Sequence, residues 1–532
     1  MVFSYPSSLH KGGIRTLEQK HDNAIELRNV TKTFGKVVAN NKINMDVRRG
    51  EILALLGENG SGKTTLMNML SGIYFPDSGN IRVNGQEVTI RSPKDAFDLH
   101  IGMIHQHFKL VEVLSAAENI VLGLPGGVTV NRGKVNAQVR EISRKYGFEI
   151  DPTKKIYSMS VSEKQTVEIV KTLYRGADIL ILDEPTAVLT PQETEKLFDI
   201  LRTMKQDGKA IIIITHKLNE VLAVSDRVTI LRKGEYVDTV LTKDANVQSL
   251  TDGMVGRPIK LEIDRPEMAK KVQSLAIEDL TCLNADGVET LKHVSFSAMG
   301  GEILGVAGVA GSGQRELCEA IAGLYPVKDG RIMFDTKDGR ENMVGIKPDD
   351  IFKKGISMAF VPEDRLGMGL VGSMDMVDNV MLRSYKERRG IFVDRRTPKK
   401  ICDELINDLE IVTPGTSTPV RRLSGGNVQK VLLGREIHYQ PRVLVVAYPV
   451  RGLDINSSYK IYDLLNGQKQ KGVAVIFVGE DLDVLMEISD RILVLCGGQV
   501  SGVVDPRKVG KDEIGLLMMH VPDAKNTQEV GA

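Results

Sequence analysis

EILALLGENGSGKTTLMNMLSG (residues 51–72) runs from an apolar segment through three glycines into a lysine, two threonines and a second apolar segment. The reading of this stretch decides the fold. An unbroken apolar run such as ILALL suits a short strand buried on both faces, the habit of parallel sheets. Gly57, Gly60 and Gly62 let the backbone bend so that several N–H groups point at one anion, and the helix behind them adds the positive end of its dipole. In this strand–loop–helix setting G-x-x-x-x-G-K-T is a phosphate-binding loop. Lys63 is placed to reach terminal phosphates, and the Thr64 hydroxyl to hold Mg²⁺.

The stretch occurs twice. VRRGEILALLGENGSGKTTLMNMLSGIYFPDSGNIRVNG (47–85) returns from residue 298 as AMGGEILGVAGVAGSGQRELCEAIAGLYPVKDGRIMFD, and SDRVTILRKGEYV (225–237) returns as SDRILVLCGGQVS (489–501). The offset grows from 251 residues (57 to 308) to 264 (225 to 489), so the second copy carries about a dozen extra residues, expected around 337–350. Each copy alternates short apolar runs with helix-like stretches, which predicts an α/β fold built on a mainly parallel sheet. The expected layout is a tail (1–24), a first domain (25–257), a short charged linker (258–272), a second domain (273–520) and a C-terminal tail (521–532).

Composition agrees with two domains, since 532 residues exceed one ordinary core. Seventy Lys and Arg balance 69 Asp and Glu, so the basic excess of a nucleic-acid binder is missing. Cys282, Cys318, Cys402 and Cys496 lack metal or disulfide spacing and read as small buried residues in a reducing compartment. No apolar run is long enough to cross a bilayer. The N-terminal residues lack the apolar segment of a signal peptide, so the chain is expected to stay cytosolic.

Two further strand ends carry chemistry. ILILDEP (179–185) closes on Asp183, placed to hold Mg²⁺, and Glu184, placed to polarise an attacking water. IIIITHKL (211–218) brings His216 within reach of a γ-phosphate. Alone, each is weak; together behind a phosphate loop they are strong.

The order of that loop, IGMIHQHFKL (101–110) with Gln106, SMSVSEKQTVEIVKTLYR (158–175), ILILDEP and ITHKL resembles an ATP-binding cassette (ABC) ATPase. The second copy adds RRLSGGNVQKVLLGREI (421–437), the family's signature. The resemblance spans roughly 25–520. It implies two tandem P-loop NTPase domains, each with a mainly parallel core, an antiparallel β subdomain and a helical subdomain. It makes ATP and Mg²⁺ the cofactors, Phe34 the adenine-stacking ring and Gln106 a further Mg²⁺ sensor.

In this family two domains meet head to tail, so the residues sort by composite site. The first site joins Phe34, Gly57, Glu58, Asn59, Gly60, Ser61, Gly62, Lys63, Thr64, Thr65, Gln106, Asp183, Glu184 and His216 with Ser424, Gly425, Gly426, Asn427 and Gln429 of the second copy, and Asp454 approaches it. The second site has Gln314 and Arg315 for lysine and threonine, Ala447 and Tyr448 for the two carboxylates, Glu480 for His216 and Glu363 for Gln106. It has no aromatic opposite Phe34, and it faces a first-copy signature with Ser162 for the second glycine and Thr190 for Asp454. Hydrolysis is expected at the first site only.

Tandem chains of this kind resemble the ATPases of bacterial simple-sugar and nucleoside importers. That implies two integral-membrane permease subunits, an extracellular or periplasmic substrate-binding lipoprotein, no nucleic acid, and a place on the cytoplasmic face of the cell membrane. The details lean towards a nucleoside, with ribose, galactose or another simple sugar as the runner-up. A soluble tandem ATPase acting on ribosomes or DNA fits less well, because the junction is short and the second loop is degenerate. A non-catalytic scaffold fits least. The basic stretch 384–400 reads as a solvated helix face, or as a contact with anionic headgroups.

Overall fold

The computed structural model describes residues 23–105, 108–124, 131–187, 189–258, 261–268, 272–336, 339–346, 350–351, 357–385 and 393–521. The first copy contributes β1 (Asn23–Phe34), β2 (Val37–Arg48), β3 (Ile52–Leu56), β4 (Ser78–Val83), β5 (Gln86–Val88), β6 (Ile101–Ile104), β7 (Ile179–Asp183), β8 (Ala210–Ile214), β9 (Arg227–Arg232) and β10 (Glu235–Leu241). The second contributes β11 (Val272–Leu283), β12 (Glu289–Gly300), β13 (Glu302–Gly308), β14 (Val327–Thr336), β15 (Gly339–Asn342), β16 (Met358–Val361), β17 (Val443–Ala447), β18 (Ala474–Val478), β19 (Arg491–Cys496) and β20 (Gln499–Val504).

Each copy builds the same pair of sheets. The antiparallel one is ordered β2-β1-β4-β5, repeated as β12-β11-β14-β15. The core sheet is ordered β10-β9-β3-β8-β7-β6, repeated as β20-β19-β13-β18-β17-β16. In both cores only the edge pair, β9 with β10 or β19 with β20, is antiparallel. The fold is therefore α/β with two P-loop-type cores, and the duplication seen in the sequence is a duplication of topology.

The unbroken apolar runs become strands covered on both faces. Alternate residues of β3, β7 and β8 point opposite ways. Leu53, Leu55, Ile179, Ile181, Ile212 and Ile214 pack towards the antiparallel sheet. Ile52, Leu180, Leu182, Ile211 and Ile213 pack under the helical side with Val139, Phe148, Val167 and Leu201. Each fully buried Leu or Ile contributes about 1.5–3 kcal/mol, so this double coverage holds the central strands in place. The order β7-β8-β3 sets the C-terminal ends of three parallel strands side by side, the customary ligand edge of such sheets.

Three expectations are sharpened. Residue 272 already belongs to β11 rather than to the linker. The linker itself is fastened to the second copy: Ile263 packs on its core, Arg265 donates to the Met486 and Ser489 carbonyls (3.1 and 2.9 Å), and Glu267 pairs with Arg507 (2.6 Å). The extra residues of the second copy go partly into a longer β14, ten residues against six in β4. Cys282, Cys318 and Cys402 are buried, as expected, whereas Cys496 is half-buried. No helix among the described residues is long and apolar enough to cross a membrane.

Candidate functional site

The phosphate loop is held by contacts that only glycine permits. Gly62 has φ 95°, and a Cβ there would stand 2.4 Å from the Ala39 carbonyl. At Gly57 it would meet the Leu231 carbonyl and Ser61 Oγ, both at 2.3 Å. Gly62 also starts the helix Lys63–Leu70 without a side-chain cap, which leaves first-turn amides free for an anion. Ser61 Oγ is buried with no hydrogen-bond partner, and a Cβ on Gly60 would meet nothing within 4 Å. Thr64 is exposed on the first turn and Thr65 half-buried behind it.

The Lys63 side chain is folded inwards, its Nζ donating to the Gly57 and Glu58 carbonyls at 2.6 and 3.1 Å. Burial pushes its pKa down against the charges of Glu184, Asp183 and Glu58. Asp183 is pushed up to about 6 by burial and by the charge of Glu184, with Lys63 opposing. Glu184, one residue on, behaves differently. Burial raises it, but a 2.9 Å hydrogen bond to His216 Nδ1 and the His216, Lys63 and Lys217 charges hold it below the usual range. Packing around His216 disfavours its charged form, yet Glu184 overrides this and lifts its pKa, while 56% of the side chain stays open to solvent. Glu184 sits at φ 50°, a left-handed conformation fixed by its N–H donating 2.8 Å to the Ile214 carbonyl of β8. The two adjacent carboxyls are thus shifted in opposite directions, Asp183 towards its protonated form and Glu184 towards its charged one.

Phe34, at the end of β1, is 44% exposed and meets Tyr74 edge to face at 5.2 Å. Asp77 fixes the strand beneath it. It accepts from Thr33 N and Oγ (both 2.7 Å) and from Lys32 Nζ (2.8 Å), which lowers its pKa to about 2. Gln106 lies outside the described residues.

The second copy reaches this loop. Asn59 Nδ2 donates to the Leu453 carbonyl at 3.1 Å. Glu58 is raised first by burial and then by the charge of Asp454. Asp454 caps the helix Ile455–Gln470 through Ser457 N and Oγ (2.8 and 2.7 Å), and a Cβ on Gly426 would press on that same Ser457 Oγ at 3.0 Å. Gly426 and the loop that meets Asn59 therefore form one packed unit. Ser424 and Gly425 are exposed at the start of the helix Gly425–His438, with Asn427 Nδ2 donating to Ser424 Oγ at 2.9 Å.

Residues 40–187 and 291–449 both match the ABC transporter family, together more than half of the chain. The chain belongs to the ABC transporter family. Over 94% of its length it is 41% identical to the nucleoside import ATP-binding protein NupA of Lactococcus lactis, covering 98% of that protein. It is 42% identical over 93% of its length to the guanosine import ATP-binding protein NupO of Bacillus subtilis, covering 97%, and 39% identical over 94% to the glucose import ATP-binding protein TsgD13 of Haloferax volcanii, covering 97%. The archaeal ribosome recycling factor aABCE1, solved in complex with the ribosomal stalk protein aP1, superposes with a TM-score of 0.59 over 92% of each chain at 16% identity, a likeness of fold alone.

Within this ABC chain the second copy keeps the backbone and carries different side chains at these positions. Tyr448 repeats the left-handed turn of Glu184 (φ 49°, N–H to the Val478 carbonyl at 2.9 Å), with a phenol whose pKa burial pushes far up. Gln314 is buried and donates to the Val309 carbonyl at 3.2 Å, and Arg315 turns away to Glu319 at 2.7 Å. In the first-copy signature, Glu163 accepts from Ser160 N (2.7 Å) and pairs with Lys154 (2.6 Å), so a carboxylate occupies the place of Asn427.

One expected site residue is placed differently. Gln429 has no accessible surface and lies on the inner face of its helix, as does Gln165, which donates to the Pro185 carbonyl at 2.5 Å. The Gln429 amide is buried with no hydrogen-bond partner and does not line the outer face of the signature helix. Tyr74 and Asp77 were not foreseen; the repeat offered a hint at Tyr74, since AGLYP echoes SGIYFP. In the basic stretch, Arg395 pairs with Asp378 (2.7 Å) and Asp375 (3.5 Å), as a solvated, internally paired face would; Arg388 and Arg389 lie outside the described residues.

Proposed function

We propose that this chain is the ATP-hydrolysing subunit of an importer, working at one composite site and driving uptake of a nucleoside through two separate permease subunits. The observation that carries the ATPase reading is the cluster of Lys63, Asp183, Glu184 and His216 at three adjacent strand ends, met by the 453–454 loop of the other copy. The nucleoside reading rests on relatives named for nucleoside and guanosine import at 41% and 42% identity, against 36–39% for those named for sugars. The functional units on this reading are 25–257 and 273–520.

The chain's own residues suit a nucleotide with a divalent cation. Uncapped amides, an orphaned Ser61 hydroxyl and open space at Gly60 form an anion cradle, and burial and the neighbouring Glu184 charge hold the Asp183 pKa up at about 6, beyond what Lys63 offsets. Thr64 and Asp183, with Gln106, would hold Mg²⁺, which when bound neutralises phosphate charge. Lys63 exchanges its loop carbonyls for phosphate oxygens. Glu184, kept ionised by His216, orients the attacking water and accepts the proton it releases. His216, hydrogen-bonded through Nδ1, keeps its other ring nitrogen available for a phosphate oxygen. Phe34 and Tyr74 offer an aromatic patch for the base. Ser424 and Gly425 close the site from the second copy.

The partners would be the permeases and a substrate-binding lipoprotein, with this chain peripheral on the cytoplasmic face. The test is uptake in a strain deleted for the chain and complemented with wild type or Glu184→Gln. Loss of labelled nucleoside uptake, restored only by wild type, is expected. Loss of ribose or glucose uptake with nucleoside uptake intact would replace the nucleoside by a sugar.

A further inference from the structure

The second copy's departures from the catalytic set have a structural use. Glu363, Tyr448 and Glu480 stand at the ends of β16, β17 and β18, where the first copy expects Gln106, Glu184 and His216. Arg451 spans the outer two. Its Nη1 pairs with Glu363 Oε1 and its Nε with Glu480 Oε1 at 2.9 Å. The Arg451 carbonyl in turn accepts from Arg365 Nη2, and Arg365 Nη1 lies against Gly425, 3.3 Å from where a Cβ would be. Two residues beyond Arg451, the Leu453 carbonyl receives Asn59, and the next residue, Asp454, faces Glu58 and caps its own helix. The corresponding residue of the first copy is Ala187, which has no charge to offer.

We infer that Arg451 is a positioning residue for hydrolysis at the first site: held between Glu363 and Glu480, it fixes the 451–454 segment that meets Asn59 and, with Arg365, the signature glycine beside it. The two carboxylates that spoil the second site are on this view the anchors of a clamp serving the first. A neutral glutamine and a histidine at those positions would leave the guanidinium with no counter-charge. All three side chains are partly exposed, so solvent screens each pair and the clamp adds little to global stability. Its effect falls on the placement of a loop, to which hydrolysis is sensitive.

The inference rests on the ATPase reading above. The test is steady-state hydrolysis by the purified full chain. Arg451→Ala should lower kcat about tenfold, with KM for ATP within about twofold and the melting temperature nearly unchanged, as expected for lost alignment. Arg451→Lys should recover part of the rate. Glu363→Gln with Glu480→Gln should reproduce the loss while leaving Arg451 in place, which also serves if the alanine variant proves unstable. Combined with Asn59→Ala, Arg451→Ala should add no further loss, because both act through the same contact. Unchanged kcat in Arg451→Ala and in the double glutamine variant, or losses that multiply with Asn59→Ala, would overturn it. A wild-type chain without ATPase activity would instead sink the functional reading and this inference with it.

Discussion

Asp183→Asn should make the empty protein more stable. In the folded chain this carboxyl ionises near pH 6 instead of 3.8, raised by burial and by the neighbouring Glu184 charge. Two units of upward shift correspond to about 3 kcal/mol at about 1.36 kcal/mol per unit. Because the carboxyl is partly open to water, about 1–2 kcal/mol is the better expectation. The sign follows from proton binding. An unfolded Asp ionises near 3.8 and the folded one near 6, so the folded state binds more protons between those values. The penalty is absent near pH 4, grows through this window and is complete above about pH 7. Calorimetry in EDTA, without nucleotide, should show the Asp183→Asn first domain melting roughly 3–6 °C higher at pH 8. The gain should shrink steadily towards pH 4.5. An unchanged or lowered midpoint at pH 8, or a gain that persists undiminished at low pH, would refute the idea that the site stores charge repulsion for a cation to relieve.

Other consequences are simpler to test. Glu184→Gln should lower kcat about 10²–10⁴-fold while ATP still binds, measured by steady-state turnover and by equilibrium binding of labelled ATP. Phe34→Ala should raise KM for ATP about 2- to 10-fold with kcat held, and Tyr74→Ala should shift KM the same way by less, since the two rings share one patch.

The phosphate loop and the strand-end carboxylates were legible in the sequence because local rules determine them. Glycine spacing controls the backbone at 57–62, and unbroken apolar runs mark Ile52–Leu56 and Ile179–Asp183 as doubly covered strands. The duplication then made the second sheet order readable from the first. Contacts across long separations were not legible. Asp77 grips Thr33 from 44 residues away, and Arg451 finds Glu363 88 residues back. Their meaning appears only when β16, β17 and β18 lie side by side. Gln429 was misplaced for a different reason. Five residues past Ser424, it lies about 140° round the helix and faces the core, which helical period alone could have shown.

The central claim is that hydrolysis depends on the first copy's loop and the second copy's signature. Gly425 and Val161 are the first residues of matching helices, where an added carboxylate complements the helix dipole and leaves folding intact. The decisive comparison is kcat for Gly425→Asp against Val161→Asp. Gly425→Asp should lose about 10²-fold or more, because its charge faces the phosphates, and Val161→Asp should stay within about twofold of wild type. Equal losses, or a loss confined to Val161→Asp, would contradict the one-site scheme.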